Sequence, residues 1–409
     1  MPAYEGASLP NLTATVARHL RGDGDSLEGL APALDPTVDP LKGRRPEGPV
    51  VILLVDGLGW SAFQRWTATS TTLAARRWSP MARPITTVFP TSTASALVSL
   101  STGATPSHHG IVGYRQYLPA FGVVADMLKM TPVGAPAPEG LVGPQWTPSL
   151  ITGVPSVFRR GLRGAAVSRD RFQETGFTRL LYDGAEYLPW TTASDLAVQI
   201  SELLDRPRPP DLLLAYWDEL DTVSHFYGPA EALDRFELDR IGHLVKFVAH
   251  RVTASIARKT SFWITGDHGQ VPLDPERQID LALHPAVTRE MIRPLAGDRR
   301  ASYLAARPGR LDRLQEAIEP LLPPGTGVQS MDAAIDAGLW GPAPFHPEMR
   351  ERLGDLLILP PPPWGLVQRF PGSAPPRRTL FGAHGGLTPE ELAVPLVGGT
   401  LDALGRGDG

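Results

Sequence analysis

The sequence predicts an α/β fold, with a mostly parallel central sheet, helices on both faces and a smaller inserted α+β cap. Three observations carry that expectation. Apolar runs of strand length recur at 50–55, 164–168, 211–217 and 261–265. Helical patterns at 191–204 and 230–258 lie between or beside them, the alternation that a parallel sheet needs. Runs such as VVILLV and LLLAYW are apolar at nearly every position, so both faces of those strands expect cover.

Taken in order, residues 9–21 form a short amphipathic helix with Leu12, Val16 and Leu20 on one face, followed by a Gly/Asp/Pro-rich connector to about residue 48. The first strand, 50–55, delivers Asp56, and Gly57 and Gly59 let the backbone turn sharply beside a ligand. Within FPTSTASALVSLSTG, 93–102 reads as a helix: Leu97 and Leu100 share a face and Gly103 is a natural stop. Residues 230–258 read as one long stripe or two helices through Leu233, Phe236, Ile241, Leu244, Val248 and Ile256. From about 275 to 380 a second pattern appears: strand 302–306, helix 309–322, strand 326–330 and strand 355–360, the last stopped by prolines 360–363. The expected division is 1–48 as N-terminal helix and connector, 49–274 with 381–409 as the core, and 275–380 as an insertion or cap. The 43 prolines gather in connectors such as 205–210 and 360–376, which predicts stiff, ordered loops.

Composition narrows the chemistry. With 409 residues the chain can bury a large core. A net charge of −4 and the lack of basic stripes interleaved with aromatics argue against nucleic acid or an anionic membrane as partner. There are no cysteines, so any metal must sit on nitrogen and oxygen ligands, and the chain suits the cytosol. The opening residues carry no basic segment followed by an apolar one, and no apolar run approaches the roughly 20 residues of a membrane span. The expectation is a soluble, cytoplasmic protein.

Asp56, Asp221 and Asp267 all follow apolar strand-like runs, and ligands of open parallel sheets bind beyond the carboxyl ends of the strands. His225 stands four residues beyond Asp221, His268 is adjacent to Asp267, and His384 sits among glycines in GAHGG. A single Asp after a strand is usually a turn residue or helix cap, and His243 and His250 read as ordinary histidines. Three recurrences of the pattern point instead to a pair of divalent cations. A hydroxyl at the start of the 93–102 helix is an ordinary N-cap, yet the same place favours anions and can hold a nucleophile. Spacing does not choose among Thr91, Ser92 and Thr93.

Together these motifs resemble the alkaline phosphatase superfamily, and within it the type I phosphodiesterase/nucleotide pyrophosphatase branch. The resemblance covers roughly 48–270 and 381–397 through VILLVDG, the Thr-to-TG helix followed by PSHHGI, YWDELDTVSHFYGP, TGDHG and AHGG. It implies an alkaline-phosphatase-like core and a hydrolase of phosphodiester or pyrophosphate bonds acting through a phosphothreonine. It assigns the nucleophile to Thr93, nine residues before Thr102. One metal would be held by Asp221, His225 and His384, the other by Asp56, Asp267, His268 and the Thr93 oxygen. Zinc is the usual pair of ions, with manganese in some members. The implied partner is a small phosphate ester, with nucleotides among the candidates. One departure stands out: the family's Asn after H-G-I is replaced here by Tyr114, followed by Arg115, the two substrate-contact candidates. Arg115 would favour a phosphomonoester, the alternative activity on the same site. Trp60, Tyr114 and Trp146 are candidates to stack on a base, although core packing is the ordinary role of each. The sulfatase-like match at Ser373–Arg377 lies far from the nucleophile and reads as chance, a mutase reading lacks the expected nucleophile context, and a non-catalytic metal-binding protein is the reading outside enzymology.

Overall fold

The computed structural model describes residues 1–22, 27–135, 137–370 and 378–406. The Ser373–Arg377 match lies outside the described residues. A seven-stranded sheet runs in the order Ala82–Thr86, Ala393–Thr400, Ser261–Gly266, Val50–Val55, Leu212–Trp217, Gly164–Arg169, Glu186–Trp190. The last five are parallel to one another. Ala393–Thr400 is antiparallel to both neighbours, so the sheet is mixed. Its direction follows from the path of the chain. The strand begins nine residues after His384, at the edge where the parallel strands end, and can only run back.

Register does the positioning. Val50 lies opposite Leu212 and Ser261, and Val55 opposite Trp217 and Gly266. The three central strands therefore finish level, and the residues that follow them emerge at one edge. Alternate residues of Val50–Val55 serve two cores. Val50, Ile52 and Leu54 pack with Leu9, Leu12 and Val16 of the helix Leu9–Arg21 and with Ala94, Leu97 and Val98 of Thr93–Thr102. Val51, Leu53 and Val55 pack under Trp60–Thr69, Leu73–Met81, Ala193–Leu204 and Glu231–Arg251. The indoles of Trp66, Trp78, Trp190 and Trp217 fill that second layer; truncating one to Ala would cost about 3–5 kcal/mol.

The helices at 9–21 and 93–102 have the expected limits. The 230–258 stripe is two helices, Glu231–Arg251 and Ala254–Lys259, because Val252 turns extended and Thr253 caps the second one by accepting from the Ile256 amide. Three strands of this sheet escaped the sequence reading, Ala82–Thr86, Glu186–Trp190 and Ala393–Thr400. Each contains a proline, which normally argues against a strand. Pro84 and Pro395 face each other across the ladder.

A second seven-stranded sheet is antiparallel throughout: Gly327–Ser330, Leu356–Leu359, Ala301–Leu304, Ala296–Asp298, Arg115–Leu118, Val123–Asp126, Thr131–Pro132. Four strands come from the 275–380 span and three from 115–132. A buried fork from Arg300 to Glu391, both contacts 3.2 Å, ties this sheet to the first. Glu391 in turn accepts from the Gly386 amide at 2.9 Å, which fixes the loop carrying His384. Among the described residues no helix is long and apolar enough to cross a membrane.

Candidate metal centre

Asp56 and Asp267 leave adjacent strands at the same level, and Asp221 lies in the first turn of Glu219–Tyr227, just beyond the third. A Cβ on Gly57 would come within 3.0 Å of the Asp221 Cα, and Gly57 has φ +78°, so only glycine lets these segments close together. The Gly57 amide donates to Asp267 Oδ1 at 3.0 Å, and the Tyr216 hydroxyl donates to Asp56 Oδ2. The other carboxylate oxygens, Asp56 Oδ1 and Asp267 Oδ2, are buried with no hydrogen-bond partner. Both lie 3.4 Å from His268 Nε2. Thr93 Oγ1 is 3.1 Å from the same nitrogen.

Across the pocket, Asp221 Oδ1 is 3.4 Å from His225 Nε2 and 4.0 Å from His384 Nε2. The His268 and His384 rings stack with centroids 3.6 Å apart, and His225 lies 5.2 Å from His384. Each imidazole is oriented in the same way. Nδ1 of His225 contacts the Gly382 carbonyl at 2.8 Å, that of His268 the Gly269 carbonyl at 3.2 Å, and that of His384 the Thr91 carbonyl at 2.8 Å. A carbonyl only accepts, so Nδ1 carries the proton in all three rings, and each Nε2 lone pair is free for a cation. By distance the donors form two groups, Asp56–Asp267–His268 and Asp221–His268–His384, with atoms within 4.8 Å of one another. His268 thus stands between them.

Electrostatics agree with that donor set. Burial, then the Asp267 and Asp221 charges, hold Asp56 well above the usual carboxylate range. Burial pushes Asp267 up to about 7, against the pull of the Gly57 amide. His268 is held well below the usual imidazole range by burial and then by His384 and His225. Buried carboxylates with idle oxygens beside neutral imidazole lone pairs lack positive charge. A divalent cation would supply it, and an all N/O set with histidines suits zinc or manganese.

The three hydroxyls left open by spacing face different ways. Thr91 Oγ1 donates to the Gly386 carbonyl at 3.0 Å and accepts from the Gly385 amide at 2.9 Å, pinning the His384 loop. Ser92 faces the Asp298 carboxyl. Thr93, the first residue of its helix and 7% exposed, faces His268. Tyr114 is half-buried, with its hydroxyl against Asp126 and its amide donating to Asp298 Oδ2 at 3.1 Å. Arg115 sits beside it with an enclosed, unpartnered Nε. Trp146 is buried and Trp60 stacks on Phe63.

Sequence reasoning missed the supporting residues. Gln270 donates to Asp221, Tyr216 to Asp56, and the Thr87 hydroxyl to the Asp267 carbonyl. Gln270, two residues past His268, was in view but had no spacing that signals a partner for Asp221. Tyr216 sat inside a run read as core.

The profile described as type I phosphodiesterase/nucleotide pyrophosphatase matches residues 50–387. The chain belongs to that family. It is accordingly a phosphoester hydrolase of the alkaline phosphatase superfamily, a family that uses divalent metals. No curated protein matches the sequence. Among solved structures it is similar to murine ectonucleotide pyrophosphatase/phosphodiesterase 5, at 17% identity and TM-score 0.62, over 86% of this chain and 88% of that one. An inactive form of the same murine protein in complex with AMP gives 0.63 at 17% identity, with the same coverage. Phosphonoacetate hydrolase from Sinorhizobium meliloti, in complex with phosphonoacetate, gives 0.61 at 16% identity, over 88% and 96%. At these identities the likeness is one of fold.

Proposed function

We propose that this protein hydrolyses phosphodiester or pyrophosphate bonds of small molecules, nucleotides among them, through a covalent phosphothreonine on Thr93. One observation carries the reading: Thr93 Oγ1 lies 3.1 Å from His268 Nε2, which is itself 3.4 Å from two buried carboxylate oxygens without partners and stacks on His384. Asp56, Asp267, His268 and Thr93 would hold one divalent cation, and Asp221, His225 and His384 another; we propose zinc, with manganese the alternative. When bound, these ions supply the positive charge that stabilises a deprotonated hydroxyl and a departing oxyanion. The chain's own residues do the rest. Thr93 Oγ1 attacks phosphorus as the ester or anhydride oxygen leaves on the opposite side. The first amides of Thr93–Thr102 have no carbonyl four residues back and can donate to the phosphoryl oxygens. Water then cleaves the phosphothreonine and returns the threonine. Packing seats Thr93 rigidly, because its helix is buried along its whole length.

Support for a phosphomonoester alternative comes from the same region: Tyr114 stands at the family's Asn position and Arg115 offers an unpaired cation. Parallel assays on bis-(4-nitrophenyl) phosphate and 4-nitrophenyl phosphate separate the two, and activity on neither removes the hydrolase reading. We further propose that 275–380 caps the site and that the protein works in the cytoplasm, the latter on the absence of cysteine.

A further inference from the structure

On the Asp56 side of the centre each carboxylate has one oxygen already engaged. Asp56 Oδ2 accepts from the Tyr216 hydroxyl, and Asp267 Oδ1 accepts from the Gly57 amide at 3.0 Å. That leaves Asp56 Oδ1 and Asp267 Oδ2, both enclosed and without a hydrogen-bond partner. Each stands 3.4 Å from His268 Nε2, and Thr93 Oγ1 stands 3.1 Å from the same atom. His268 is likewise limited to one nitrogen, because its Nδ1 is turned to the Gly269 carbonyl. One atom from each of four residues is therefore on offer, three oxygens and one nitrogen.

The spacing of those atoms favours one geometry. Zinc holds nitrogen and oxygen ligands at about 2.0–2.1 Å, so the corners of its tetrahedron lie about 3.3–3.4 Å apart. Six ligands at about 2.0–2.1 Å, as magnesium requires, bring neighbouring corners to about 2.8–3.0 Å. Separations of 3.4, 3.4 and 3.1 Å fall nearer the first. An Asp56 that gave both oxygens would add a donor and favour the six-coordinate shells of magnesium or manganese. Tyr216 stands against that. It lies on Leu212–Trp217, in register with Leu54, and its ring is buried in the core near Phe172. The Asp56 amide donates to the Trp217 carbonyl at 2.8 Å, so one strand ladder sets both the phenol and the carboxylate. The Asp221 side has no such division: Oδ1, the oxygen that Gln270 holds, is also the one that faces His225 and His384.

We propose that Tyr216 is a positioning residue that confines Asp56 to a single ligand oxygen, making the Asp56 side a four-donor site selective for zinc over cations that need six neighbours. This rests on the proposed placement of a cation among Asp56, Thr93, Asp267 and His268. Tyr216 touches neither cation nor substrate; it acts through Asp56. An outer hydrogen bond of this kind orients a ligand and tunes which ion it suits.

Cobalt(II) reports the geometry, because its four-coordinate complexes absorb visible light far more strongly than its six-coordinate ones. Cobalt-loaded wild-type protein should show the intense bands. Tyr216→Phe should weaken them per bound ion, the Asp221 side being common to both proteins. Chelator competition gives the ratio of zinc to manganese affinity, which Tyr216→Phe should lower about tenfold or more, the scale of a lost outer hydrogen bond. Bands that keep their intensity in Tyr216→Phe overturn the proposal, whatever its melting temperature, and so does an unchanged ratio. Should Tyr216→Phe fail to fold, a crystal structure of the zinc-loaded wild type decides: Asp56 bound through Oδ1 alone is expected, and both oxygens on zinc overturn the proposal. Binding is read without turnover. A centre that loads as described but hydrolyses no phosphate ester would leave the role of Tyr216 intact and sink the hydrolase reading alone.

Discussion

The two halves of the centre are built differently. Side chains of Asp56, Asp267 and His268 are 6%, 0% and 0% exposed, whereas those of Asp221, His225 and His384 are 15%, 24% and 12% exposed. In the closed half two carboxylate oxygens have no partner. In the open half Asp221 Oδ1 already accepts from the Gln270 amide. The closed half is thus strained by its own charge until a cation arrives, and the open half is stable and reachable by water and substrate. That contrast fits a division of labour, with the closed half holding the nucleophile and the open half receiving the leaving group.

The largest expected effect separates chemistry from binding. Thr93→Ala should lower kcat by on the order of 10⁴-fold or more while metal content by elemental analysis stays near that of the wild type. Retained turnover would remove Thr93 from its role. Next, His384→Ala should reduce metal occupancy and activity together; full occupancy in that variant would contradict the ligand assignment.

The closed half makes a prediction about stability. In metal-stripped protein Asp56 and Asp267 have folded values raised above their unfolded ones, so the native state binds more protons. Stability should therefore fall as pH rises from about 4 through about 7. Asp56→Asn removes one such charge, and at pH 8 the stripped variant should melt a few degrees above the stripped parent. A lower melting temperature would show that the carboxylate is not under strain. The smallest effect belongs to the open half: Gln270→Ala should weaken metal affinity by about 10–100-fold through loss of the hydrogen bond to Asp221, with little change in the closed half. Chelator-stripping curves with two separate phases would display the contrast directly, and a single phase would erase it.

Much of this was legible in the chain because the informative residues sit at strand ends. VILLVDG and SFWITGDHG announce both a buried strand and the ligand that follows it, and level pairing of the strands brings Asp56 and Asp267 together. Thr93–Thr102 was visible through its uninterrupted apolar pattern and Gly103. What escaped was set by distant partners. Pro84, Pro189 and Pro395 hid three strands of the main sheet. The second sheet joins 115–132 to 296–359, a pairing that no local pattern signals. Asp298 comes beside Ser92 and Gly385 only through that pairing, so it did not stand out as a sequence candidate.

Anomalous diffraction at the zinc edge, from zinc-loaded crystals, tests the central assignment most directly. Two peaks are expected in one pocket, the first among Asp56, Thr93, Asp267 and His268, the second among Asp221, His225 and His384. A single peak, or zinc bound elsewhere with these side chains unliganded, would contradict it.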